Sequence, residues 1–201
     1  MDSAAAIYYN GKLIAAAEER FSGQKHTGNF PIDAIQTCLS DAGISINDIS
    51  LICHSFNYDP YAPLFYSNSY TYNLYKKILC DQSKIKYFAN FFHMDIKDIK
   101  NRYQSFDHHL SHAAYAYYSS GYDESLIIVA DGIGEFSSIS VFSAKGAEIS
   151  LVKEYGPKSS LGMLYSAITE YLGFISNMDE YKVMGLAAYG NKDQYLPLLE
   201  D

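Results

Sequence analysis

Apolar and polar positions are spaced so that the chain reads as two similar runs of elements separated by a longer insertion. Residues 4–9 and 12–18 are short, largely apolar stretches on either side of Asn10-Gly11. They predict a β-hairpin, because Asn-Gly readily takes the positive backbone angles of a two-residue turn. Pro31 suits the opening of a helix. Ile32, Ile35, Leu39 and Ala42 then fall on one face and Gly43 marks its end. In the second half, residues 125–130 contain the unbroken run Leu-Ile-Ile-Val-Ala and predict a fully buried strand that runs into Asp131-Gly132. Residues 137–142 and 148–154 form the next hairpin around Lys145-Gly146, and residues 161–172 a helix.

The second run is therefore strand, hairpin, helix, and the first is hairpin, helix. If the two are duplicates, the first lacks an opening strand that would lead into Asp2 as 125–130 leads into Asp131. A missing strand leaves backbone groups and apolar surface unpaired. The expectation is a fragment, shortened at its N-terminus or begun at a late start codon, that also stops at Asp201 without a closing element. In the insertion, residues 51–55 predict a short strand and 58–72 an irregular aromatic segment. Residues 74–79 and 85–103 predict helices, and 105–118 a helix of small residues and tyrosines with the densest polar cluster.

Composition narrows the classes. With 48% apolar and 19% charged residues among 201, a packed core is expected rather than disorder. The net charge of -8 and the lack of any block of five Lys or Arg argue against a nucleic-acid partner. Cys38, Cys53 and Cys80 are odd in number and widely spaced. They suggest small buried hydrophobes in a reducing compartment rather than a disulfide framework. No apolar run approaches the roughly 20 residues of a membrane span, and Met-Asp-Ser-Ala-Ala-Ala has no cationic leader, so the expected location is cytoplasmic. Twenty tyrosines without a tryptophan fit either a binding surface or compositional bias.

Four segments carry candidate chemistry. In Asp107-His108-His109-Leu110-Ser111-His112, His108 and His112 are four apart and share a helix face, a spacing that suits two ligands on one metal ion; surface or capping histidines are the plainer alternative. Asp131, at the end of a strand, would complete such a site. Gly132 and Gly134 behind it would let the backbone approach a phosphate, or simply make an Asp-Gly turn. The segment from Asp179-Glu180 to Gly190 would line a nucleotide pocket or be an ordinary helix ending at Gly190. The loop from Glu18 to Pro31, which sets Arg20, Lys25 and His26 beside glycines, would hold an anionic acyl phosphate or be a solvated connection.

Taken together and in order, these segments resemble the NodU/CmcH-type carbamoyltransferases, the nodulation and antibiotic O-carbamoyltransferases. The matching stretches are 2–6, 15–21, Lys25-His26, Phe30-Pro31, 108–114, 131–135, 160–166 and 180–190. The resemblance implies an α/β fold of the actin-like ATPase type, built from duplicated RNase H-like units and here incomplete. Residues 1–57 would be the first unit without its first strand, 58–120 a helical insertion, and 121–201 the start of the second unit. A YrdC-like domain, expected downstream, would make carbamoyl-adenylate from carbamoyl phosphate and ATP. The domain sampled here would pass the carbamoyl group to a hydroxyl of a sugar or natural product. The resemblance further implies a divalent metal ion, iron above all, held by His108, His112, Asp131 and an aspartate beyond residue 201. Lys25 would lie at the carbamoyl group, and Gly132, Gly134 and Glu180 near the nucleotide.

Three departures stand out. Met1 occupies the family's histidine position, only Glu18-Glu19 precede Arg20 where the family has three glutamates, and Ala188 replaces a proline. The first removes an acid/base or carbamoyl-contacting histidine, and the third is expected to be tolerated. With the first strand, the later aspartate and the second domain also expected to be missing, a second expectation stays open, a non-catalytic remnant of the same fold that binds metal or nucleotide weakly or not at all.

Overall fold

The structure, a computed structural model, describes residues 2–194. Strands β1 (Ala4–Tyr9) and β2 (Lys12–Ala17) form the expected hairpin, paired from Ala4 with Ala17 to Tyr9 with Lys12. Asn10 and Gly11 have φ of 49° and 77°, the two left-handed residues whose twist matches that of the flanking strands. A single turn, α1 (Glu19–Ser22), precedes α2 (Ile32–Ala42), whose end is closed by Gly43 at φ 67°. Helix α2 lies on the hairpin and buries Ala34, Ile35, Cys38 and Leu39, while Ile32 and Ala42 are half-buried. The buried Glu18 side chain accepts the Ala34 N–H at 2.9 Å, satisfying one of the donors a helix start leaves free.

Strand β3 (Ile52–His54) is followed by a 3-10 stretch, Asp59–Ser67, and then α3 (Ser69–Leu74), which runs into a π turn at Tyr75–Leu79. Next come α4 (Asp81–Phe91), α5 (Ile96–Arg102), β4 (Tyr103–Ser105) and α6 (His108–Ser120). Strands β5 (Glu124–Ala130), β6 (Ile139–Lys145) and β7 (Glu148–Tyr155) precede α7 (Leu161–Tyr171) and α8 (Glu180–Ala187). The fold is thus mixed α/β, with sheets of two (β1-β2), two (β3-β4) and three (β5-β6-β7) strands among the described residues. No helix among them is long and apolar enough to cross a membrane.

Contacts divide the chain into two units, one of residues up to Cys53 with Gln82–Gln104, the other of His54–Asp81 with the residues from Ser105 onward. In the first, Ile52, Ile85, Ala89 and Ile99 are buried together. The single helix expected over 85–103 is instead two. His93 turns left-handed at φ 53°, and Asp95 restarts the chain by accepting the Lys97 N–H at 2.7 Å. The break lets Ile99 of α5 join Ile85 and Ala89 of α4 in one cluster. Cys53 is exposed, contrary to expectation, while Cys38 and Cys80 are buried.

In the second unit β5, β6 and β7 form an antiparallel meander, with α6 on one face. Ala113 and Tyr117 of α6 meet Ile127, Val129, Phe142 and Ala144 of the sheet. The expectation of a fully buried strand at 125–130 is corrected. Ile127 and Val129 are buried, but Leu126 and Ile128 on the opposite face are each 66% exposed. An unbroken apolar run conceals the alternation because both faces carry apolar side chains. A separate aromatic cluster gathers Tyr58, Tyr75 and Cys80 with Phe56, Phe65 and Phe136 around them.

Candidate metal centre

Helix α6 begins where Asp107 accepts the Leu110 N–H at 2.8 Å, a side-chain cap that fixes the first turn. One turn separates His108 from His112, and their side chains share a face. His109 points the other way, into the sheet. Its Nδ1 lies 2.7 Å from Ser140 Oγ, the residue is 2% exposed, and burial pushes its pKa below the ordinary imidazole value.

Asp131 leaves the end of β5. Its backbone N–H donates to the Ser138 carbonyl at 2.9 Å, and its Oδ1 accepts the Gly132 N–H at 2.6 Å. The other carboxylate oxygen, Oδ2, stands 3.0 Å from His108 Nε2 and 3.9 Å from His112 Nε2, and the two Nε2 atoms are 3.1 Å apart. All three donor atoms lie within 4.8 Å of one another. Bonds of about 2.1 Å at right to tetrahedral angles would place donor atoms roughly 3.0–3.4 Å apart, so two of the three separations already fit.

The tautomer follows from the neighbours. His108 Nδ1 lies 3.1 Å from the Ser55 carbonyl, which only accepts, so Nδ1 carries the proton. The Nε2 lone pair then points at a carboxylate oxygen and at a second imidazole nitrogen. Lone pairs converge in this way only around a proton or a cation. A ring N–H held by a backbone carbonyl is also the usual arrangement behind a metal-bound histidine. Two imidazoles and one carboxylate suit iron, zinc or manganese. His108 is 16% exposed, Asp131 35% and His112 54%, so one side of the cluster is open to solvent, as in sites that admit a substrate.

Gly132 adjoins Asp131, and Gly134 packs against the His109 ring, where a Cβ would come within 3.1 Å of Cδ2. Glu180 opens α8. Its carboxylate accepts from Ser166 Oγ at 2.7 Å and from the Asn177 N–H at 2.6 Å, and the Ser166 hydroxyl holds its pKa below the ordinary value. Lys25 is exposed and belongs to the first unit, whereas the trio belongs to the second. His26 beside it pairs with Asp2 at 3.0 Å. Met1, at the family histidine's place, lies outside the described residues.

Several supporting residues escaped the sequence. Phe56 stacks on the His108 ring at 3.9 Å between centroids. Ser160 caps α7 and donates its hydroxyl to the Gly132 carbonyl at 2.6 Å, while a Cβ on Gly162 would meet Gly132 Cα at 2.8 Å. The start of α7 is thereby seated against the Asp131-Gly132 turn. In the sequence, Ser160 and Gly162 stood out only as part of the family-like stretch 160–166.

Within the mixed α/β fold, a His-x-x-x-His helix turn meets a strand-end aspartate beside a glycine turn, a donor set whose chemistry suits a metal ion. The chain belongs to the carbamoyltransferase family: the family model for the carbamoyltransferase N-terminus matches residues 54–199. It is 35% identical to the uncharacterized protein sll1178 of Synechocystis, over all of this chain and 35% of that protein. It is 34% identical to nodulation protein NolNO of Sinorhizobium fredii, over 99% of this chain and 29% of that protein. Nodulation protein NolO of Bradyrhizobium diazoefficiens is 40% identical over 92 residues, 46% of this chain and 17% of that protein. The chain spans about a third of the length of the first two relatives.

Proposed function

We propose that the chain serves the transfer half of an O-carbamoyltransferase, passing a carbamoyl group from carbamoyl-adenylate to a hydroxyl of a sugar or natural product. The acceptor oxygen bonds to the carbamoyl carbon, the bond from that carbon to the adenylate phosphate breaks, AMP leaves and the hydroxyl proton is released. Carbamoyl-adenylate itself would come from carbamoyl phosphate and ATP on a YrdC-like domain. The reading includes an actin-like arrangement of RNase H-like units, with residues 1–57 and 121–201 in the two units and 58–120 inserted, and a cytoplasmic setting. It is supported by family membership and by the recurrence of a hairpin followed by a helix in β1-β2-α2 and β6-β7-α7.

The observation that carries the reading is the convergence of His108 Nε2, His112 Nε2 and Asp131 Oδ2. These would hold a divalent metal ion, iron above all, which when bound supplies Lewis-acid polarisation of the carbonyl and charge for the phosphate. His108 offers its lone pair because Ser55 holds the opposite proton, and Asp131 keeps Oδ2 free because Gly132 occupies Oδ1. In this reading Lys25 brings a cation to the carbamoyl group, while Gly132, Gly134 and Glu180 border the nucleotide.

Metal content after anaerobic loading with Fe(II) tests the centre. The wild-type protein should retain stoichiometric metal, and His108→Ala and His112→Ala should lose it. Unchanged retention in both variants would sink the assignment. Transfer is read as appearance of a carbamoylated product and AMP from supplied carbamoyl-adenylate. It should be lost in Asp131→Asn.

A further inference from the structure

We infer that Glu135 is a positioning residue of the metal centre, the clamp that sets the distance between the histidine helix and the aspartate strand. The inference rests on the metal-centre reading above. Glu135 follows Asp131 by four residues in the loop between β5 and β6, and it is 5% exposed. Its Oε1 accepts the Asn57 N–H at 2.7 Å and the His108 N–H at 3.1 Å, and its Oε2 lies 3.2 Å from the same His108 nitrogen. One carboxylate thus ties the loop that carries Asp131 to the first residue of α6, which is itself a ligand. It also holds the segment that presents the Ser55 carbonyl to His108 Nδ1 and the Phe56 ring to the His108 face.

The chemistry explains the residue type. The first N–H groups of α6 have no partner within the helix, and the positive end of a 13-residue helix favours an anion. Both contacts of Glu135 are donors, which a carboxylate accepts without offering a proton that would oppose them. An isolated buried carboxylate is costly to desolvate, and these charge-assisted bonds are what offset that cost. Glu135 touches the metal ligands only through their backbone and the elements that carry them. Its effect is to hold His108 Nε2 and Asp131 Oδ2 at 3.0 Å.

The test compares Co(II) affinity, read from the visible absorption of the bound ion, in wild type, His108→Ala, Glu135→Ala, Glu135→Gln and Tyr117→Phe. Tyr117→Phe removes a hydroxyl that donates to the Asp123 carbonyl at 2.7 Å toward the C-terminal end of α6, away from the first turn that Glu135 contacts. It controls for loss of stability alone. Glu135→Ala should weaken Co(II) binding about 10–100-fold, the usual effect of removing an outer partner of a metal ligand. Glu135→Gln, whose carbonyl oxygen can still accept from both amides, should recover most of it, and Tyr117→Phe should bind as wild type does. Hydrogen exchange at the Asn57 and His108 amides should quicken in Glu135→Ala without added metal. Wild-type affinity in Glu135→Ala, with binding lost in His108→Ala, would overturn the clamp and leave the metal centre standing. Equal binding by wild type and His108→Ala would overturn both.

Discussion

One methyl group has opposite consequences at two glycines of this chain. A Cβ on Gly162 would lie 2.8 Å from Gly132 Cα and 3.1 Å from its nitrogen, backbone atoms that cannot swing aside. Gly162→Ala must therefore push α7 away from the Asp131-Gly132 turn, at about 1–3 kcal/mol of stability, as overpacking usually costs. Gly185 lies inside α8 with nothing within 4 Å of the position a Cβ would take. Gly185→Ala should stabilise by about 0.5–1 kcal/mol, because alanine loses less backbone freedom in a helix. Urea unfolding of both variants measures the contrast, and equal effects of the same sign would contradict it. At this scale His109 is the counterpart of its neighbours. Sequence spacing separated it from His108 and His112, and its bond to Ser140 shows where it went instead.

Among the elements, the start of α8 is held by charge. Lys182 Nζ lies 2.7 Å from Asp179 Oδ1, and the Ile175 N–H donates to the same carboxylate at 3.1 Å. The Lys182 side chain, then the Ile175 amide, hold the Asp179 carboxyl below its ordinary pKa, and Asp179 in turn raises the Lys182 pKa. A lowered carboxyl pKa gives stability that is complete above the unfolded value and fades as pH falls toward the native one. A raised ammonium pKa gives stability complete below the unfolded value and lost as pH rises through the native one. Hydrogen-exchange protection at Ile175, measured against the intrinsic rate at each pH, should therefore stay high at neutral pH and fall in acid, below the ordinary aspartate pKa. In Asp179→Asn the acid limb should flatten. An unchanged acid limb in that variant would show that the pair does not hold the helix start.

For the molecule as a whole, the most telling surface is the sheet face that α6 does not cover. Leu126 and Ile128 of β5, each 66% exposed, lie opposite Ser143 and Val141 of β6. Apolar patches of this kind draw apolar partners. The isolated chain should self-associate as concentration rises, and Leu126→Lys with Ile128→Lys should reduce this while leaving the circular dichroism unchanged. Light scattering reads the outcome; association unaffected by the double substitution would remove this face from the explanation.

Much of the fold and of the candidate site was legible in the amino-acid order because its codes are short. Asn10-Gly11 specifies its hairpin through two backbone angles, Gly43 ends α2 through one, and the i,i+4 spacing puts His108 and His112 on one face wherever the helix lies. The apolar run ahead of Asp131 announced a strand, and a strand end aims a side chain outward. What no local pattern contained were the meetings of distant segments. Glu135 bonds to residues 27 and 78 positions away, and Ser55 fixes the proton of a histidine 53 positions on. The break at His93, the exposed side of β5 and the exposed Cys53 were likewise settled by what packs against them. Spacing and turn chemistry act over a few bonds and can be read from the chain alone. Burial, hydrogen-bond partnership and the separation of donor atoms belong to pairs of segments, and only the folded structure brings those pairs together.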